Sequence, residues 1–110
     1  MEQNVLTIDE IKMIIMPIAE KYRVKSVYLF GSYARGDATG QSDIDLRIDG
    51  DGIKSMFGLG AFYQELTEVL KKPVDMVTTG ALNHKANADR TKKFRGSIER
   101  DEQLIYEKND

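Results

Sequence analysis

Cysteine is absent from the 110 residues, histidine occurs once and proline twice. Without cysteine there is no disulfide framework, no thiolate metal centre and no thiol nucleophile. A reducing cytoplasm is the simplest setting for such a chain. No stretch reaches the ~18 apolar residues needed to span a bilayer. The segment Met1 to Glu10 carries acidic residues rather than a basic start followed by an apolar run, so no export signal and no membrane contact are expected. A cationic surplus is also missing. The formal net charge is -2 and the pI near 5.4, which argues against nucleic acid held by its phosphates as a direct substrate. Internal repeats and low-complexity segments are lacking as well. What remains, 41% hydrophobic and 31% charged residues, fits one compact domain over residues 1–110 with a modest core.

Thr7-Ile8-Asp9-Glu10 has the form of a capping box, which predicts a helix starting there. Ile8, Ile11, Ile14, Ile15, Ile18 and Tyr22 recur at helical spacing and supply its apolar face. Pro17 lacks an N–H and predicts a kink or break near Ile14 to Met16. Val24 to Phe30 is β-branched and aromatic and reads as a strand ending at Gly31. Ser42 to Asp49 alternates, with Ile44, Leu46 and Ile48 on one face and Asp43, Asp45, Arg47 and Asp49 on the other. A helix is expected from about Ile53 to Leu70, suggested by Phe57, Phe62, Leu66, Val69 and Leu70, with Phe57, Phe62 and Leu66 as core residues, and weakened by Gly58 and Gly60. Pro73 ends it, and Val74 to Val77 is a third strand. From Gly80 onward the chain is polar and locally basic, with a weakly amphipathic stretch from Ile98 to Tyr106, and reads as helix with loops. The fold class is therefore α/β (α+β): a small mixed β-sheet flanked by helices.

Aspartate is a poor strand former, yet three stand in short apolar strands. Asp43 and Asp45 leave the same face of one strand with Cα atoms roughly 6.5 to 7 Å apart. Two like charges ~4 Å apart repel by roughly 4 kcal/mol at an effective dielectric of about 20. Carboxylates that converge therefore need a proton or a cation between them. Oxygen ligands without nearby histidine or cysteine favour Mg²⁺ over Zn²⁺. Asp75, from the next strand, can complete the cluster. Upstream, Gly31-Ser32 lies where a strand turns into a short helix over Ser32 to Arg35. Such a turn offers backbone N–H groups and a hydroxyl to phosphate oxygens, and Gly31 lets a phosphate approach without a Cβ in the way. Taken alone, Asp43 and Asp45 would be an ordinary solvated strand face. The Gly-Ser turn upstream changes that reading, because phosphate-binding amides beside a carboxylate pair are what phosphoryl-type transfer requires.

Phe30-Gly31-Ser32-Tyr33-Ala34-Arg35-Gly36, ten residues from Tyr33 to Ser42, and then Asp43-Ile44-Asp45-Leu46 resemble the G-S-x10-D-x-D signature of the DNA polymerase β-like nucleotidyltransferase superfamily. The closer similarity is to its minimal branch, the MNT proteins, and it covers roughly Val24 to Val77. The resemblance implies that Asp43 and Asp45 ligate two Mg²⁺ ions and that Asp75 holds the catalytic one and helps activate an acceptor hydroxyl. It implies nucleotide binding by Gly31 and Ser32, with Arg35 as a further phosphate ligand or as a loop brace. It also implies ATP or another NTP as donor, and a HEPN-domain toxin as partner and acceptor, modified on a tyrosine. A chain this short has little material for an acceptor pocket of its own.

Arg47 departs from the resembling family, standing on the aspartate face where it can pair with Asp45 or contact a phosphate. Ser32 is also placed to act as a helix N-cap. His84 reads as exposed, and the basic run Lys85 to Arg95 as a solvated surface or a contact for an acidic partner or RNA. Two other functions compete: an antitoxin that neutralises its partner by binding alone, and a transferase acting on a small hydroxylated molecule such as an antibiotic. Self-association into a homo-oligomer is left open.

Overall fold

The computed structural model describes residues 5–50, 56–80 and 100–108. His84 and the basic run from Lys85 to Arg95 lie outside them. The described elements are α1 (Ile8–Lys21), β1 (Ser26–Phe30), α2 (Gly31–Arg35), β2 (Ile44–Asp49), α3 (Met56–Leu70), β3 (Val74–Thr78) and β4 (Gln103–Glu107).

The capping box forms as its residues dictate: Thr7 Oγ1 accepts from Glu10 N–H at 3.0 Å and Glu10 Oε1 accepts from Thr7 N–H at 2.8 Å. Contrary to a break near Ile14 to Met16, α1 runs on through Pro17 to Lys21. The hydrogen bond that proline removes would have ended on the carbonyl of Met13. Met13 and Pro17 lie on the exposed side of the helix, where water can serve that carbonyl. Ile11, Ile15, Ile18 and Ala19 form the buried stripe.

The sheet order is β3-β2-β1-β4. β1 pairs antiparallel with β2 and β4, while β2 and β3 are parallel and are joined by a crossover containing α3, as parallel neighbours require. Val27 and Leu29 of β1 and Ile44, Leu46 and Ile48 of β2 are fully buried in one core with Ile11, Ile15, Phe62 and Leu66 of the helices. Lys21 Nζ and Tyr22 Oη both donate to Glu65 Oε1, at 2.6 and 2.7 Å, tying the end of α1 to α3.

Two expectations about packing and pairing fail. Phe57 is 90% exposed, and α3 buries Phe62, Leu66 and Leu70. Phe57 precedes Phe62 by five residues, a rotation of about 140° at 3.6 residues per turn, which carries it off the buried face. The final stretch is also a strand, not a helix: Gln103–Glu107 adds to the free edge of β1. Leu104-Ile105-Tyr106 is a short continuous apolar run, which periodicity alone does not assign, and the open edge decides it.

Candidate active site

The face of the sheet away from the buried isoleucines carries the candidate residues. Antiparallel register places Phe30 opposite Asp45, and parallel register places Asp75 opposite Asp45. Phe30 is followed at once by Gly31, so the Gly-Ser turn and two of the three aspartates meet at one end of β1. Asp43 precedes β2 by one residue and is exposed. Asp45 is half-buried and Asp75 exposed.

Gly31 is buried and has a φ of +76°, a region that L side chains rarely occupy. The space its missing side chain would fill holds the carboxylate of Asp45. That occupancy and the positive φ together require glycine here. Helix α2 starts at Gly31, with Phe30 as N-cap and no side-chain cap bond. Ser32 is therefore the second residue of α2 rather than its cap, and its hydroxyl is not used to close the helix start. Its carbonyl accepts from Gly36 and Asp37 N–H, both at 3.0 Å, and Gly36 ends the helix in the left-handed region with φ 87°.

Burial pushes the Asp45 carboxyl up to about 6, helped by the charges of Asp75 and Asp43 and by a hydrogen bond with Asp75, while the nearby Arg35 pulls it down. The cluster thus concentrates negative charge that a bound proton relieves, and a cation would relieve it better. Asp43, Asp45 and Asp75 offer only carboxylate oxygens, the donor set that suits Mg²⁺. Among the described residues no three acidic or histidine groups are arranged to hold an ion by themselves.

Arg47 is neither at Asp45 nor free for a phosphate. Its Nε and Nη2 donate to the two carboxylate oxygens of Glu102 at 2.6 and 2.8 Å, Nη1 donates to Thr79 Oγ1 at 2.7 Å, and the guanidinium lies 4.0 Å from the centre of the Tyr28 ring. Bidentate geometry and aromatic stacking are what a guanidinium satisfies best, so the Glu102 site outcompetes Asp45. Arg35 is paired with Asp101 at 3.0 Å and Asp37 at 3.2 Å. Sequence reasoning missed Asp101, Glu102 and Thr79, since nothing local marks them. Their partners lie 66, 55 and 32 residues away.

The family described as polymerase beta nucleotidyltransferase matches residues 12–110. The chain belongs to that family. Among relatives of this nucleotidyltransferase, one from Methanocaldococcus jannaschii, provisionally named a protein adenylyltransferase, is 43% identical over 79 residues, covering 71% of this chain and 84% of the relative. The protein adenylyltransferase MntA of Thermococcus cleftensis is 32% identical over 81 residues, covering 70% and 82%. Two solved structures share the fold. One is a toxin-antitoxin with AMP-PNP, with a TM-score of 0.64 and 18% identity over 89% of this chain and 74% of that one. The other is an MNT antitoxin in complex with a tri-AMPylated HEPN toxin of Shewanella oneidensis, with a TM-score of 0.61 and 15% identity over 93% and 74%. The described helices include none long and apolar enough to cross a membrane.

Proposed function

We propose that this nucleotidyltransferase moves AMP from ATP to a hydroxyl, in the first place a tyrosine, of a partner HEPN toxin and so acts as its antitoxin. The observation that carries the proposal is the convergence of Asp45 and Asp75 beside Gly31. It sets a carboxylate pair against a turn whose first amides have no side-chain cap. Relatives named protein adenylyltransferases, and a fold shared with an antitoxin bound to an AMPylated toxin, supply the acceptor class.

The residues divide the work. Amides of the turn at Gly31 and the Ser32 hydroxyl bind the triphosphate, where developing negative charge meets fixed donors. Arg35, held by Asp101 and Asp37, lies close enough to lower the Asp45 carboxyl and adds positive charge beside the site. Asp43, Asp45 and Asp75 would hold Mg²⁺, two ions in the reading from the family. Bound magnesium supplies charge neutralisation along the triphosphate and at the attacking oxygen. Asp75, exposed and opposite the half-buried Asp45 on the neighbouring strand, accepts the proton of the acceptor hydroxyl. The acceptor oxygen bonds to the α-phosphorus as the bond from that phosphorus to pyrophosphate breaks.

The test is transfer of label from α-labelled ATP to proteins of a source-cell lysate, with and without added partner, comparing wild type with Asp45→Asn. A labelled band that depends on Asp45 supports transfer and identifies the acceptor by mass. Label appearing on a small hydroxylated compound instead would redirect the acceptor class. No label with any NTP, together with intact neutralisation of the toxin by Asp45→Asn, would replace transfer by occlusion.

A further inference from the structure

Three consecutive residues that no motif singles out each grip a different part of the site. Asp101 Oδ2 accepts from Arg35 Nη1 of α2 at 3.0 Å, Glu102 takes both Nε and Nη2 of Arg47 on β2, and Gln103 Nε2 donates to the Ala34 carbonyl of α2 at 2.9 Å. One of the ion pairs is shielded on both sides, the side chains of Arg47 and Glu102 being 16% and 19% exposed, whereas Asp101 at 11% meets an Arg35 that is 41% exposed. Pairs shielded to this degree are screened less than surface ion pairs.

Each grip answers a local need. Helix α2 has five residues, too few to give its last carbonyls partners within the helix, and Gln103 supplies a donor to one of them. Arg47 follows Asp45 by two residues on the same strand face. A guanidinium released there would have Asp45 within reach and would compete with any cation or phosphate for that carboxylate; Glu102 holds it away. Because β4 pairs with β1, the strand whose end carries Gly31, the triplet is anchored to the element that it braces.

We infer that Asp101-Glu102-Gln103 is a positioning device for the transfer site: it locks the Gly31-Ser32 turn against β2 and keeps the Arg47 guanidinium off Asp45. The inference rests on the reading of that site as a nucleotide-transfer centre. None of the three is assigned contact with substrate, and their effect is transmitted through α2 and Arg47.

Gln103→Met keeps side-chain length and loses the donor, whereas Gln103→Lys restores one. Two quantities are read on the full chain: amide hydrogen exchange over residues 31–36 by mass spectrometry, and kcat and KM for AMP transfer from ATP. The Met variant is expected to exchange about tenfold faster over that segment and to lose about tenfold in kcat, as misplaced reacting groups do. Its KM for ATP should change by less than about threefold, and the Lys variant should recover both properties. Unchanged exchange overturns the proposal, and so does faster exchange with unaltered kcat. In a second arm, Glu102→Leu frees Arg47 and lowers transfer, and the double variant Arg47→Met/Glu102→Leu, which leaves no unpaired charge, recovers it. A double variant no more active than the single one rejects the second half of the proposal. If wild type transfers no AMP, the reading of the site fails, and the exchange measurement alone decides whether the brace exists.

Discussion

The carboxylate of Asp45 fills the space that a side chain on Gly31 would need: a Cβ built there would overlap Asp45 Oδ2. The two halves of the motif therefore touch. Gly31→Ala is expected to displace Asp45 and to lower transfer by about 10²-fold, the scale of an ångström-sized misplacement. It should also lose roughly 1–2 kcal/mol from the left-handed backbone alone. Gly36, with φ +87° and nothing among the described residues within 4 Å of its would-be Cβ, is the matched control. Gly36→Ala should lose similar stability and keep its activity. Thermal melts and transfer rates of the two variants decide the matter, and equal activity losses would sink the assigned role of Gly31.

Asp45 titrates near 6, above the ordinary 3.8, chiefly through burial. A raised carboxyl means that the folded protein holds more protons than the unfolded chain between about pH 4 and pH 6. Stability must then fall as pH rises through that window, the contribution being complete below pH 4 and gone above pH 6. Metal-free wild type should show this slope in melting temperature, and Asp45→Asn should lack it while being inactive. Adding Mg²⁺ at pH 8 should raise the melting temperature of wild type much more than that of Asp45→Asn. Equal responses would remove Asp45 from the ligand set.

The Tyr33 hydroxyl is buried and has no hydrogen-bond partner among the described residues, and Tyr33 is only 3% exposed. An unsatisfied buried hydroxyl costs about 1–3 kcal/mol, so Tyr33→Phe should stabilise the protein by about 1 kcal/mol and leave transfer unchanged. Denaturant titration measures the first and a rate assay the second. A fall in rate without the gain in stability would mean that the hydroxyl serves the substrate.

Phe57 and Phe62 separate exposure from composition on one helix. Phe62 is fully buried and meets the Tyr22 ring edge-on at 5.6 Å. Phe62→Ala should cost about 3–5 kcal/mol, whereas Phe57→Ala should stay within about 0.5 kcal/mol. Urea unfolding of both variants tests this, and a large loss at Phe57 would contradict its exposure.

Short-range chemistry explains which elements could be read in advance. The Thr7 to Glu10 cap, the isoleucine stripe of α1, the alternation of β2 and the Val74 strand each depend on residues a few positions apart, so the amino-acid order contains the whole cause. The Gly-Ser turn and the aspartates stand out for the same reason: glycine marks a sharp turn, and aspartate in an apolar strand is a locally unfavourable choice that calls for an explanation. At Pro17 the local view allowed a break that does not occur, because the lost hydrogen bond falls on the solvent side, and at Phe57 it failed, because a five-residue offset passes for helical spacing.

By itself, then, the sequence determined the α/β pattern, the candidate residues Gly31, Ser32, Asp43, Asp45 and Asp75, and the exclusion of thiol chemistry. Tertiary structure alone decided that Gln103–Glu107 becomes a strand, since an open sheet edge and not the residues themselves selects β over helix. It alone decided the partner of Arg47, because a shielded carboxylate fork beside an aromatic ring outbids the nearer Asp45 only once residues 55 positions apart have been brought together. Contacts of that range depend on the closed shape of the whole chain, and no local pattern carries them.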